Sequence, residues 1–258
     1  MSALVVPSAP WAARSGRDQH GAFADLELRG EVQRFRWCPA GSFMREGFRV
    51  TLTRGFWMGE TLVMQGLWSA VMGVNPSQFR SALSSAMPVE TVSWWDSVGF
   101  ANEASRMMGL RLVYAGSGDD VRWDQAAPGF RLPTDAEWEY AARAGQEFEF
   151  AGSDRAADVA WTRENSGLRP HPVGLKRPNA WGLRDMSGNV YEWCWDRYGD
   201  YPRLGSVDPI GPPSGPNRVI RGGSWYFGPR YARVANRGGY EPGIRDYNLG
   251  LRLVRTDP

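Results

Sequence analysis

Cysteine and histidine are nearly missing from this chain of 258 residues, which has two of each: Cys38, Cys194, His20 and His171. Two cysteines can bridge only once, too few for a disulfide framework or, on their own, a zinc site. The simplest reading is a pair of buried thiols. His20 falls in a loose N-terminal stretch and His171 between prolines, so each reads as a solvated loop residue rather than a ligand. Long apolar runs are also missing. None approaches the roughly 18 residues of a membrane-spanning helix, and Pro7 and Pro10 break the short apolar patch at the start. The expectation is a protein with no membrane span and no clear signal peptide, soluble and cytoplasmic by default. Charge of one sign is lacking as well: 30 basic residues face 28 acidic ones. A net charge of +2 supplies no global field for nucleic acid or an anionic membrane, so nucleic acid is not an expected partner.

What the chain does have is 31 glycines, 18 prolines and 13 tryptophans. Many turns and few long elements follow, and many indoles should lie half-buried under loops that supply carbonyls to their N–H groups. The length suits one domain with a substantial core. Residues 1–30 are rich in Ala, Ser, Pro and charge and read as a frayed arm or an oligomer contact rather than a domain. From Val32, VQRFRWC alternates, and FRVTLTRGFWMGE reads as two extended pieces separated by Thr53, Arg54 and Gly55. LVMQGLWSAVMG spaces Leu62, Met64, Leu67, Val71 and Met72 helically. Ser93 can cap a helix over WWDSVGFANEASRMMG. In GFRLPTDAEWEYAARAG, Thr134 and Glu137 form a capping box, with Trp138, Ala141 and Ala142 as the buried face. Beyond Gly145, EFEF, GNVYEWCWDRY and NRVIRGGSW read as small strands among loops.

Several of these segments, in order from about residue 33 to 255, resemble the formylglycine-generating-enzyme (sulfatase-modifying-factor) family: GFWMGETLVMQGLWSAVMGVNPSQF, MPVETVSWWDSVGFANEASRMMGLRL, GFRLPTDAEWEYAARAG, NAWGLRDMSGNVYEWCWDRY, RVIRGGSW and GLRLVR. The resemblance implies an α+β chain with a C-type lectin fold of the formylglycine-generating-enzyme type: two main helices, small antiparallel sheets and abundant coil. The domain would cover 31–258 behind an arm of 1–30. Enzymes of the family hold copper on two cysteines shortly after a GGS-aromatic motif. Here Gly222-Gly223-Ser224-Trp225 is followed by no cysteine, so the enzymatic reading fails at the residues that matter. A branch with a three-histidine iron site is likewise unmatched. The resemblance also implies a structural calcium at Asp185, Gly188, Val190 and Glu192; alternatively the two carboxylates hold backbone N–H groups or pair with arginine.

The C-terminal segment, about 221–253, also resembles the variable region of proteins diversified by diversity-generating retroelements. RGGSW, Pro229, Arg233, Ala235-Asn236-Arg237, Pro242, Arg245 and GLRL match the fixed frame of that group. Between them lie the candidate ligand-binding positions: Tyr226, Phe227, Gly228, Arg230, Tyr231, Gly238, Gly239, Tyr240, Gly243, Ile244, Asp246 and Tyr247. Each is reachable from an Asn codon by changing adenines, while Trp, Met, Lys, Gln and Glu are not, and none of those five occurs there. Tyrosine, glycine and arginine are also what a recognition surface uses. Arg221, Arg233, Arg237 and Arg245 are placed in a supporting layer, and Val219, Ile220, Trp225, Leu249, Leu251 and Leu253 in the core. The expected function is non-enzymatic binding of a macromolecular ligand, a protein, with no cofactor required. A copper-dependent oxidase of substrate cysteines and a carbohydrate-binding lectin are the alternatives.

Overall fold

The computed structural model describes residues 8–256; residues 1–7 of the expected arm and 257–258 of the expected domain lie outside the described residues. Residues 14–28 are no frayed arm. Strands β1 (Arg14–Asp18) and β2 (Gly21–Leu28) run antiparallel beside β3 (Glu31–Cys38). Phe23, Leu26 and Leu28 are buried, and Trp11 stands edge-on to Phe35, Trp57 and Phe130 at 5.3, 6.1 and 5.6 Å. Charge in this stretch pairs across strands: Asp25 with Arg34, and Asp18 with Arg36. Composition alone reads those charges as solvated, because their partners lie on other strands: Arg34 on the neighbouring one, Arg36 two strands away.

The sheet continues after β3 through β6 (Phe56–Gly59), Val254–Arg255 and Phe130–Arg131. Between β3 and β6, β4 (Gly41–Arg45) and β5 (Phe48–Leu52) form a hairpin that Ser206–Val207 joins in parallel. A second sheet of four strands has the order Arg237–Tyr240, Arg218–Arg221, Tyr191–Arg197, Leu249–Leu251. Its last pairing is parallel, so the small sheets are not wholly antiparallel. The EFEF segment is not a strand; Phe150 makes only an isolated bridge to Ser153.

Helix α1 (Gln65–Met72) ends at Gly73, whose φ of 76° suits a residue without Cβ. Helices α2 (Trp94–Met107) and α3 (Asp135–Arg143) both start with reciprocal capping boxes, Ser93 with Asp96 and Thr134 with Glu137. Trp138, Ala141 and Ala142 are fully buried, as the spacing predicts, but α3 is covered on its acidic side too. Indoles fill the space between the layers. Trp94 and Trp193 each donate to a backbone carbonyl, of Cys194 and Val92, at 2.9 Å. Among the described residues no helix is long and apolar enough to cross a membrane.

Candidate functional site

The strand Arg218–Arg221 runs into Gly222 and Gly223, which turn at φ of 90° and 73°. A Cβ on Gly223 would lie 2.7 Å from the backbone of Tyr231, so only glycine lets the returning loop pass. Trp225 is then pinned: its N–H donates to Asn189 O (2.8 Å) and its carbonyl accepts from Ser166 Oγ (2.9 Å). Val219, Ile220, Trp225, Leu249, Leu251 and Leu253 are all core, as expected.

Beyond Trp225 the chain alternates between anchored and displayed residues. Ser224, Trp225, Ala232, Val234 and Asn248 are buried, whereas none of the twelve candidate positions is. Tyr226, Arg230, Gly243 and Ile244 are exposed; Phe227, Gly228, Tyr231, Gly238, Gly239, Tyr240, Asp246 and Tyr247 are half-buried. Tyr247, Tyr226, Phe227 and Tyr231 form a continuous aromatic ridge with centroid separations of 5.9, 5.2 and 5.1 Å. Arg230 lies over the Tyr231 ring and donates to its hydroxyl at 2.6 Å.

Two aromatics under this ridge escape a reading of 221–253 alone. Phe79 packs edge-on against Trp225 and Tyr247, and Tyr191 against Phe227. Burial raises the Tyr191 hydroxyl well above the ordinary tyrosine range, with Tyr240 and Tyr231 adding to it. Tyr240 and Phe227 pack against the same core cluster as Tyr191. Gly243, Ile244 and Asp246 lie on a turn fastened to the start of α2: Pro242 O accepts from Trp94 N–H, and Asp246 O from Thr91 N–H. Gly239 departs from the set. Side chains alternate along a strand, and a Cβ on Gly239 would meet Tyr198 at 2.6 Å, whereas one on Gly238 faces Ile220 at 3.1 Å.

The supporting arginines behave differently from one another. Arg221, fully buried, pairs with Asp135 and Glu139 of α3 and donates to the carbonyls of Val234 and Asn236, both at 2.9 Å. It thereby fixes where the loop returns. Arg245 clamps the capping carboxylate Asp96 at 2.7 Å, and Arg233 pairs with Glu149. Arg237 donates to Gly199 O at 2.7 Å.

The copper position of the family does not fit. Residues 226–232 hold no cysteine, while Cys38 and Cys194 are free thiols with no exposed surface. Burial pushes both thiols up, away from the thiolate form that binds copper. At the calcium position, the Glu192 oxygens pair with arginine, accepting from Arg252 Nε (2.9 Å) and Nη2 (2.8 Å), and also accept from Trp138 Nε1 (2.8 Å). Asp185 accepts from Gly174 N–H at 2.7 Å and keeps one buried oxygen without a partner. Gly188 donates its N–H to Gly222 O, and Val190 packs with Leu62 and Trp225. Among the described residues no three His, Cys, Asp or Glu side chains gather as a metal set. His171 is no solvated loop residue: it stacks on Trp161 at 3.8 Å, with Nε2 2.7 Å from Ser166 O.

Comparison with known proteins agrees with this geometry. The structure is similar to that of Treponema denticola variable protein 1, with a TM-score of 0.87 and 32% identity over 91% of this chain and 99% of that one. In sequence the chain is 33% identical to the chaperone protein LppX of Paenibacillus barcinonensis over 80% of its own length and 82% of the relative's. It is 36% identical to the formylglycine-generating enzyme of Streptomyces coelicolor over 72% of its length, spanning 60% of that enzyme. The fold is the C-type lectin fold of the formylglycine-generating-enzyme type. Residues 24–257 match the model of the sulfatase-modifying factor enzyme 1-like domain, and the chain belongs to that family.

Proposed function

We propose that this chain is a non-enzymatic binding protein that displays a diversified recognition surface, of the diversity-generating retroelement kind, to a protein ligand. One observation carries the reading: every candidate position between Tyr226 and Tyr247 reaches solvent, while the segment that carries them is held by buried anchors. A surface held in place before contact loses less entropy on binding. Its composition supports a protein ligand, because tyrosine, phenylalanine and arginine supply large stiff contact area and planar hydrogen bonding. The 32% identity to a variable protein across nearly its whole length supports it too. Against the oxidase reading stand the missing thiols and the burial of Cys38 and Cys194. The carbohydrate reading lacks acidic and amide side chains on the ridge.

The test has two parts. Sequencing the coding region from a population of cells should show substitutions concentrated at the candidate positions, matched by a nearby copy that differs at adenines. Replacing Tyr226, Tyr231, Tyr240 and Tyr247 together by Ala should lower the melting temperature by only a few degrees, at about 0.5 kcal/mol per surface side chain. Evenly spread variation, or collapse of the quadruple variant, would overturn the reading. Copper-dependent, oxygen-consuming oxidation of a cysteine peptide would replace it with the enzymatic one.

A further inference from the structure

Side chains at 237 and 239 point to the opposite face of their strand from those at 238 and 240. On that opposite face, segment 198–213 closes over Asp135 and Asp196 and leaves a cavity of about 340 Å3, toward the small end of the range for small-molecule sites. One end of it is cationic. The Tyr201 ring is held between the guanidinium groups of Arg45 and Arg237, at 4.3 and 4.1 Å, and its hydroxyl accepts from Arg221 Nη2 at 3.0 Å.

The ion-paired cluster behind that wall joins Arg45, Arg143, Arg221 and Arg237 to only two carboxylates, Asp135 and Glu139. A third carboxyl, Asp196, accepts from the Asp135 N–H at 2.8 Å and is pushed up to about 8 by burial and by the charge of Asp135, so at neutral pH it is uncharged and repels no anion. Asp200 also lines the cavity, so the four arginines face three charged carboxylates, Asp135, Glu139 and Asp200, and positive charge is in surplus by one. Arg237 lines the cavity while its Nε, buried without a hydrogen bond, lies 3.5 Å from Asp135 Oδ2. The other end is apolar and open. Phe48, Leu204 and Ile210 line it at 38%, 76% and 39% exposure, a gathering that soluble surfaces usually reserve for contact.

The geometry points to a small-molecule site that takes an organic anion, with a carboxylate head against Arg237 and Arg45 and an apolar tail along Phe48, Leu204 and Ile210. Arginine suits this because its planar fork matches a carboxylate in two parallel hydrogen bonds. The site stands apart from the recognition ridge and does not depend on it.

Isothermal titration with octanoate and 4-phenylbutyrate, each beside its neutral amide, tests this directly. Saturable binding at one site is expected for the acids, weakened by at least about tenfold for the amides and for R237Q. The double variant L204D/I210D, changed only at the open mouth, should abolish binding while melting as the parent does, so it decides the matter even if R237Q fails to fold. Y226A should bind the acids as the parent does. Neither acid saturating at millimolar concentration, acids and amides binding alike, or undiminished binding by L204D/I210D would each overturn the assignment.

Discussion

Gly239 and Gly243 are the same residue type in the same segment, yet they stand in opposite surroundings. Nothing lies within 4 Å of a Cβ built on Gly243, whereas one on Gly239 meets Cγ, Cβ and Cδ2 of Tyr198 between 2.6 and 3.0 Å. The near atoms of Tyr198 are those closest to its own backbone, so they cannot swing aside as a side-chain tip would. Gly243→Tyr should therefore leave stability within about 0.5 kcal/mol of the parent, as substitutions on an open surface do. Gly239→Tyr should cost about 1–3 kcal/mol through overpacking. Urea denaturation of both variants checks the pair; equal midpoints would mean that segment 198–213 yields and that Gly239 is as free to vary as its neighbour. Codon arithmetic treats both positions alike, because it knows which residues are reachable and not which have room.

At the scale of elements, α3 shows what a sequence discloses and what it hides. The capping box of Thr134 and Glu137 is legible because its partners are three residues apart, and the burial of Trp138, Ala141 and Ala142 follows from helical spacing. The burial of Asp135 and Glu139 is not legible. Their partners are Arg45 and Arg221, 90, 86, 94 and 82 residues away along the chain for the four pairings. The cluster has a consequence for pH. Burial alone would raise Asp135, but Arg221, Arg45 and Arg237 win and hold it at about 2. Its N–H donates to Asp196 Oδ2 at 2.8 Å, and Asp196 keeps its proton to about 8. An unfolded aspartate releases its proton near pH 3.9, approximately. Between those two values the folded chain holds a proton that the unfolded chain has lost, so this group takes stability away as pH rises, and takes its full share above about 8. Asp196→Asn keeps an acceptor for the Asp135 N–H and removes the titration. Its melting temperature should exceed the parent's by several degrees at pH above 8, at about 2–4 °C per kcal/mol, and converge on it near the unfolded value of about 3.9. A constant difference across that window would show that Asp196 is ionised throughout.

Across the whole molecule, stability and recognition sit at different ends of the chain and meet through the sheet. The N-terminal stretch reads as an arm because its cross-strand partners are invisible in a linear reading, yet β1 and β2 form one edge of the six-stranded sheet. The strand Val254–Arg255, which follows the recognition segment, lies in that same sheet between β6 and Phe130–Arg131. A chain beginning at Glu31 would lose β1, β2 and Trp11, leaving Phe35, Trp57 and Phe130 without the indole that packs on all three. Burying one tryptophan removes about 150–250 Å2 from water, worth up to about 4–6 kcal/mol at about 25 cal/mol per Å2. Domains are stable by about 5–15 kcal/mol in all, and Phe23, Leu26 and Leu28 would be lost with Trp11. The shortened chain should therefore lose its near-ultraviolet circular dichroism and its cooperative melting, while the quadruple tyrosine variant, changed only on the ridge, keeps both. Cooperative melting of the chain that begins at Glu31, near the parent's temperature, would show that the first two strands are an addition to the fold and not part of what holds the ridge in place.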